Sequence, residues 1–440
     1  MTGLALVRPL EDDWRDALDA VARSRGWPTS RDVAKLAARV VELSAAYNDP
    51  VRARAAMRDA GAARLGFSFP RDVPKGAAAV RELVACGALP RGRPLRVLDL
   101  GAGLGATTWG LARALAAAGF GEALDATWVD SDAEALDLGS SILRARDGRE
   151  GAVPVRVRTR TGTADRPLPG LPASARFDVV LVGQVLSELD VTAADDLRRQ
   201  RHAALLRALL AERVDEGGVL VVIEPALRDR ARHLHRVRDD LASGGATIFA
   251  PCLHAAPCPA LARESDWCHE DLPVDLPEWL VPVARAAGLR REGLTFSYLV
   301  VHRGPLRLAD ALVAPTGAAR LRVVSGAIRS KGKLEAFVCG ELTGPAGTIA
   351  GRARLMRLDR DARESNSAWD RLARGDVMAV SPPPELERPR ITSASVVSVA
   401  CPSGQGATPT AASSTSVEQA SASRENGLLA VSESNETESR

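Results

Sequence analysis

Three observations predict an α/β fold built on a mostly parallel sheet. The first is the stretch 95–108, LRVLDLGAGLGATT, where a short branched apolar run ends in Asp99 and glycines follow at 101, 103 and 105 before an apolar helical pattern begins at Trp109. Strand, tight turn and helix opening in that order form a nucleotide-binding unit, because glycine lets the backbone take unusual φ values and approach a ligand. The second is a set of near-continuous apolar runs, 126–129, 177–182 (FDVVLV) and 219–223 (VLVVI), separated by helical patterns. Such runs are strands covered on both faces. The third is a late strand, 294–301 (LTFSYLVV), fed by a helix through 279–287 that stops at Gly288. A strand returning directly after the main sheet fits the terminal hairpin of a class I methyltransferase-like (Rossmann-like) sheet better than the separate substrate domain of many dinucleotide dehydrogenases.

The bulk numbers bound the rest. A chain of 440 residues, 46% hydrophobic, can bury a large core in two or three domains. No run approaches the roughly 20 apolar residues that span a bilayer, and the first residues show no leader pattern. The expectation is a cytoplasmic protein with no membrane association, monomeric when free. A formal charge of +3 is too small to argue for nucleic acid without local clusters. Six cysteines, Cys86, Cys252, Cys258, Cys268, Cys339 and Cys401, are not expected to form a disulfide framework in a cytoplasmic chain of this size.

Residues 1–94 read as a helical region. Thr29 with Asp32 can cap a helix in which Val33, Leu36, Ala37, Val40, Leu43 and Tyr47 follow a 3.6-residue period. A second helix is expected from about residue 50 to Gly61, then an anchoring loop at Phe67, Phe69 and Pro70, then a helix opened by Pro74, with Cys86 in its last turn as a packing thiol. This region reads as a cap over the sheet or as a docking surface, its arginines most simply a solvated face. Residues 95–304 form the methyltransferase-like domain, including a basic helical run, 227–241, and a cysteine-rich loop, 251–269. Residues 305–382 read as a small β-rich module of short alternating segments. From Arg320 to Arg360 it carries nine Lys or Arg residues against Glu335, Glu341 and Asp359, the excess that RNA backbone contact needs, without an aromatic stacking ladder. Residues 383–440 turn to proline, then serine, threonine, alanine and glutamate, and read as a disordered tail.

Two places carry chemistry. At the carboxyl ends of the strands lie Asp99, Asp130, Gly183 and Glu224. The turn through Gly101, Gly103 and Gly105 would cradle a cofactor, and Asp130 or Asp132 would accept from ribose hydroxyls. For S-adenosylmethionine, Asp99 and the first glycines would face the amino-acid part, with 183–185 beside the bound molecule. No Asn/Asp-Pro-Pro-aromatic segment follows the fourth strand, which ends Val182-Gly183-Gln184-Val185, and no catalytic residue is assigned. Glu188 and Glu224 are polar groups near the cleft.

The second place is the cysteine loop. Five residues separate Cys252 from Cys258 and nine separate Cys258 from Cys268. Thiolates this close suit a soft metal or an iron–sulfur centre. The spacing is not that of a C-x2-C zinc knuckle, which favours iron–sulfur. A fourth ligand is needed: Cys339 would tie two domains together, while His254 or His269 would complete a zinc site.

These residues carry a resemblance to the Rsm22 family of methyltransferase-like small-ribosomal-subunit proteins. The matching features are FSFPRDVP at 67–74, VLDLGAGLGA, VLSEL at 185–189, and the loop through Cys252, Pro257-Cys258-Pro259 and Asp266-Trp267-Cys268-His269. They continue through Phe296-Ser297-Tyr298-Leu299, Arg322-Val323-Val324-Ser325, Cys339 and 369–376, so that 27–376 is covered. The resemblance implies association with small-subunit rRNA in assembly or translation. It also implies a [4Fe-4S] cluster on Cys252, Cys258, Cys268 and Cys339. Methyl transfer is a less general property of the family, some members acting as assembly factors; a small-molecule methyltransferase is the third reading.

Overall fold

The computed structural model describes residues 5–47, 60–146, 153–164, 170–344 and 347–401. The central sheet contains β1 (Leu95–Leu100), β2 (Leu124–Asp130), β3 (Val155–Thr161), β4 (Phe177–Gly183), β5 (Val214–Glu224), β6 (Thr247–Ala250) and β8 (Leu294–His302), in the order β3-β2-β1-β4-β5-β8-β6. Strands β1 to β5 are parallel, and β8 runs antiparallel to both β5 and β6. A short β7 (Glu270–Leu272) pairs with the start of β8. This order, reversing at β1 and β4 and closed by an antiparallel late strand, is that of a class I methyltransferase-like fold. Alternate residues feed separate cores on the two faces: Val97, Val179 and Val221 on one, Leu98, Val180 and Val222 on the other. That is why these strands read as unbroken apolar runs.

Helices flank the sheet. The amino-terminal region supplies α1 (Asp12–Ser24), α2 (Val33–Tyr47) and α3 (Phe69–Ala85); the sheet supplies α4 (Ala106–Ala117), α5 (Ala133–Arg146), α6 (Asp195–Glu212) and α7 (Arg228–Ser243). Thr29 donates to Asp32 through both its backbone N–H and its hydroxyl, each 2.9 Å, just before α2 begins, and Leu36, Ala37, Val40 and Leu43 are buried. Residues 48–59, which hold most of the second expected helix, lie outside the described residues. The expected loop at Phe67 and Phe69 is helical instead: a π-helical turn, Arg64–Ser68, runs into α3, and Pro74 sits inside that helix. Burial overrides the two prolines here, because Leu65, Phe67, Phe69, Val73 and nearly the whole of α3 are buried. Trp14 meets Phe69 and Trp109 at ring-centroid distances of 5.9 and 5.0 Å, and α3 crosses α4 so closely that a Cβ on Gly110 would lie 2.4 Å from the Val73 carbonyl. The amino-terminal region is therefore packed over the sheet.

The β-rich module is a seven-stranded sheet, β9 (Ala319–Val323), β10 (Ile328–Ser330), β11 (Lys333–Gly344), β12 (Gly347–Leu358), β13 (Val377–Ser381), β14 (Arg390–Ile391) and β15 (Val396–Cys401), ordered β14-β12-β11-β9-β13-β15 with β10 on β11. The last two strands lie beyond residue 382, where the sequence suggests a tail. Val397 and Ile391 fill the module core, and Cys401 is buried. An exposed composition with alternating valines, VVSV, is what a half-buried edge strand needs. Residues 402–440 lie outside the described residues.

A buried ionic cluster joins the regions. Arg322 of β9 donates to Glu82 of α3 at 2.5 Å, Tyr298 of β8 donates to the other Glu82 oxygen at 2.7 Å, and Arg81 lies 3.4 Å from Glu270 of β7. Burial would raise the Glu82 carboxyl, but Arg322 and Arg81 hold it below its usual range.

Candidate cofactor cleft and cysteine centre

The glycine turn closes β1 onto α4. Gly101, Gly103 and Gly105 all have left-handed φ, at 71°, 53° and 81°. They do not share one job. A Cβ on Gly101 would meet Val185 Cγ2 at 2.3 Å, and one on Gly105 would strike the Trp128 ring at 2.2 Å, so packing requires both. A Cβ on Gly183 would likewise meet Thr107 Oγ1 at 2.4 Å. Gly103 alone opens towards polar groups, with Arg64 Nη2 at 3.0 Å and Asp130 Oδ2 at 4.0 Å from the added carbon.

Asp99, at the end of β1, is 1% exposed. Its Oδ2 accepts from the Thr108 hydroxyl at 2.6 Å and backbone at 3.2 Å, and that hydroxyl in turn accepts from Trp128 Nε1 at 2.9 Å. Among the described residues, Asp99 Oδ1 has no hydrogen-bond partner. Burial pushes this carboxyl up to about 7 against the Thr108 bonds, with Asp130 adding to the rise. A buried acceptor lacking a donor at the end of β1 fits a cofactor carrying an amino group. Asp130 ends β2 and accepts from the Gly103 N–H at 2.7 Å and the Asp132 N–H at 2.9 Å. Asp132 holds Arg64 at 2.8 Å, which brings a residue of the π-helical turn over the glycine turn.

On the far side of β4, Glu224 ends β5. Its oxygens accept from the backbone N–H of Leu186 (2.9 Å) and of Ser187 (3.2 Å), fixing the VLSEL segment as a loop across the strand ends. Burial pushes Glu224 up to about 7, opposed by those bonds and by Arg230. Arg198 of α6 clamps the same segment, donating to the carbonyls of Leu186 (2.7 Å) and Leu189 (3.0 Å). Gln184, just past β4, holds a left-handed φ of 60° that a non-glycine residue rarely adopts.

At the second place, Cys252, Cys258 and Cys268 come from the loop and Cys339 from β11. Burial raises Cys258 far above its usual range, and Cys252, Cys268 and Cys339 raise it further; burial raises Cys339 similarly, with Cys252 and Cys268 adding to it. Burial also pushes Cys268 up to about 11. His254 Nε2 lies 3.6 Å from Cys339 Sγ. Thiols that strain against ionisation side by side fit a cationic centre, which would stabilise them as thiolates. Among the described residues, however, no three His, Cys, Asp or Glu side chains are set to hold a metal ion. Cys86, in contrast, lies next to the last turn of α3, where burial pushes its thiol up to about 11.

Helix α7 shapes this loop. Arg232 donates to the carbonyls of Arg263 (2.7 Å) and Asp266 (2.6 Å), His235 Nε2 pairs with the Cys268 carbonyl at 2.7 Å, and Arg238 donates to the carbonyls of His254 and Ala256. Asp239 accepts the Cys258 N–H at 3.0 Å. Sequence reading missed these anchors, along with Arg64 and Arg198. The three-residue spacing of Arg232, His235 and Arg238 was the available signal, hidden by the abundance of arginine.

Strand order, the left-handed glycine turn and the acidic strand ends define a class I methyltransferase-like protein. The chain belongs to the Rsm22 family: the family model described as mitochondrial small ribosomal subunit Rsm22 matches residues 75–354. That description overturns the cytoplasmic location expected from the sequence, an expectation that rested only on the lack of an apolar span and of a leader pattern. Among the described residues no helix is long and apolar enough to cross a membrane. No curated protein matches the chain. Similar solved structures include the precorrin-6y C5,15-methyltransferase of Geobacter metallireducens (14% identity, 51% of this chain and 88% of that chain, TM-score 0.29). Others are the magnesium protoporphyrin IX methyltransferase of Synechocystis PCC 6803 with bound SAM (16%, 54% and 84%, 0.29) and the plantazolicin methyltransferase BpumL (10%, 62% and 98%, 0.31).

Proposed function

We propose that this chain is an rRNA-associated protein of the small ribosomal subunit. On this reading it holds S-adenosylmethionine at the strand-end cleft and a [4Fe-4S] cluster on Cys252, Cys258, Cys268 and Cys339. Family membership supports the ribosomal setting. The observation that carries the reading is that Cys339 of the β-rich module reaches the cysteine loop, its Sγ 3.6 Å from His254 Nε2, where burial holds the Cys258 and Cys339 thiols up and Cys252 and Cys268 raise them further. Bound there, the cluster would act as a cross-link between the methyltransferase-like domain and the β-rich module.

In the cleft, Asp99 Oδ1 and the Gly101–Gly103 backbone would receive the amino-acid end of the cofactor, Asp130 its ribose, and Gly183 would flank it. S-Adenosylmethionine supplies an electrophilic methyl group; the chain's own contribution is to hold donor and acceptor together and keep water out. A second reading, an assembly factor without turnover, is favoured by one observation. Gly101, Gly105 and Gly183 are required by Val185, Trp128 and Thr107, so the turn persists for packing even where no chemistry is done.

The test is transfer of labelled methyl from S-adenosylmethionine to immature small subunits by anaerobically purified protein, with Asp99→Asn as control and iron and sulfide measured on the same sample. Stoichiometric incorporation at one nucleotide, lost in the control, supports the enzyme. Tight subunit binding and a full cluster without incorporation supports the assembly factor, and zinc without sulfide overturns the cluster.

A further inference from the structure

A basin beyond Glu224 is not used by the proposed cofactor site. It encloses about 620 Å³ between the VLSEL loop, α6, α7 and the cysteine loop, within the size range of small-ligand sites. Five arginines and four carboxylates line it. Arg228, Arg232 and Arg236 stand at i, i+4 and i+8 on one face of α7. Arg232 is committed to loop carbonyls, Arg230 stands close enough to Glu224 to hold its carboxyl down, and Arg228 and Arg236 are exposed at the rim. The floor, Leu186 and Ser187 over Glu224, directly follows Val185, whose Cγ2 fills the space above Gly101. A molecule in the basin thus lies one residue from the glycine turn.

We propose that this basin binds an unpaired nucleotide of RNA, with Arg228, Arg230 and Arg236 on its phosphates and the carboxylates on its base edge. The mixed lining carries the choice. Uniform arginine would suit any polyanion, whereas phosphate-binding forks beside carboxylates suit a ligand with both anionic oxygens and amino or imino donors. A nucleotide stacked in a duplex cannot bring its base edge and its phosphates into one basin together, so the residue must be unstacked first. The proposal rests on the rRNA association inferred above and places an RNA contact on the methyltransferase-like domain, apart from the basic β-rich module.

The test measures binding of fluorescent single-stranded fragments of small-subunit rRNA to the full chain across a potassium chloride series, with cross-linking of 4-thiouridine-substituted RNA and peptide mapping. The basin variant is Arg228→Glu/Arg236→Glu, at two exposed positions; the comparison variant is Arg329→Glu/Lys331→Glu, exposed in the β-rich module. The expected result is an affinity at least tenfold lower for the basin variant. Its salt slope falls by ~1.4, from two lost phosphate contacts on a single strand, and its melting temperature does not change. Wild-type cross-links fall within 186–198 or 224–236 and persist in the comparison variant. Unchanged affinity and slope in the basin variant, with cross-links confined to the β-rich module, overturns the basin and leaves rRNA association standing. A wild-type chain that binds no fragment overturns both.

Discussion

Arg322 and Glu82 face each other at 2.5 Å with both side chains almost wholly buried, although 240 positions separate them. Arg322 also donates to the Pro251 carbonyl at 2.6 Å and the Gly375 carbonyl at 2.9 Å, so one guanidinium ties α3, the cysteine loop and the β-rich module. Removing one partner of such a pair strands a charge away from water. Arg322→Met is expected to cost about 3–5 kcal/mol, read by urea denaturation. Arg322→Met combined with Glu82→Gln should recover part of that loss; a double variant as unstable as the single would mean that the carbonyl contacts dominate.

Arg238 does for the cysteine loop what Arg322 does between regions. Arg238→Met leaves the His254 and Ala256 carbonyls without their charged donor and frees Asp239, which holds the Cys258 N–H. The expected loss is about 3 kcal/mol, two charge-assisted bonds. Hydrogen exchange at the Cys258 amide should accelerate at least tenfold. An unchanged exchange rate would assign the loop's order to Arg232 and His235 instead.

Strands β1, β2, β4, β5 and β8 were legible because they are buried on both faces, so hydrophobicity alone marks them, whereas β3, VRVRTRT, is mostly exposed and carried no such run. The cleft was legible as a motif, but not the second demand on its glycines: at 101, 105 and 183 an added Cβ would meet Val185, Trp128 and Thr107. Only a three-dimensional neighbour reveals that demand. The same holds for Pro74, which reads as a helix start because its local preference is strong, while the burial of Phe69, Val73 and Ala77 keeps it within α3. The strand Val396–Cys401 was missed because it sits in a serine- and proline-rich stretch that, taken locally, cannot repay ordering; it gains its partner from β13. Arg64 and Arg198 carried no local signal at all among so many arginines.

His202 and His233 make a pH-dependent contribution. His202 Nδ1 lies 2.9 Å from His233 Nε2, and His202 Nε2 lies 3.7 Å from Asp190. Burial, reinforced by Arg198, holds both imidazoles down to about 4. An unfolded imidazole titrates near 6.5, so between pH 6.5 and 4 the unfolded chain binds protons that the folded chain refuses. Stability is complete above 6.5 and is lost as pH falls through that window, on the order of 2 kcal/mol for the pair once solvent screening is allowed for. Urea midpoints at pH 7.5, 6 and 5 measure the slope, which His202→Asn/His233→Asn should flatten. An unaltered slope would place the acid sensitivity elsewhere.

The glycine turn separates packing from binding. Gly105→Ala drives a methyl group into the Trp128 ring at a position whose φ is 81°, and should cost about 2–4 kcal/mol of stability with a displaced indole. Gly103→Ala meets only the flexible tip of Arg64 at 3.0 Å, so its cost is the left-handed backbone alone, about 1 kcal/mol. The two effects should reverse in cofactor affinity, measured by calorimetry with S-adenosylmethionine on folded protein: Gly103→Ala weakens binding at least tenfold, whereas whatever Gly105→Ala protein remains folded binds nearly as the parent does. If Gly103→Ala binds as tightly as the parent, the opening between Arg64 and Asp130 is not where the cofactor lies.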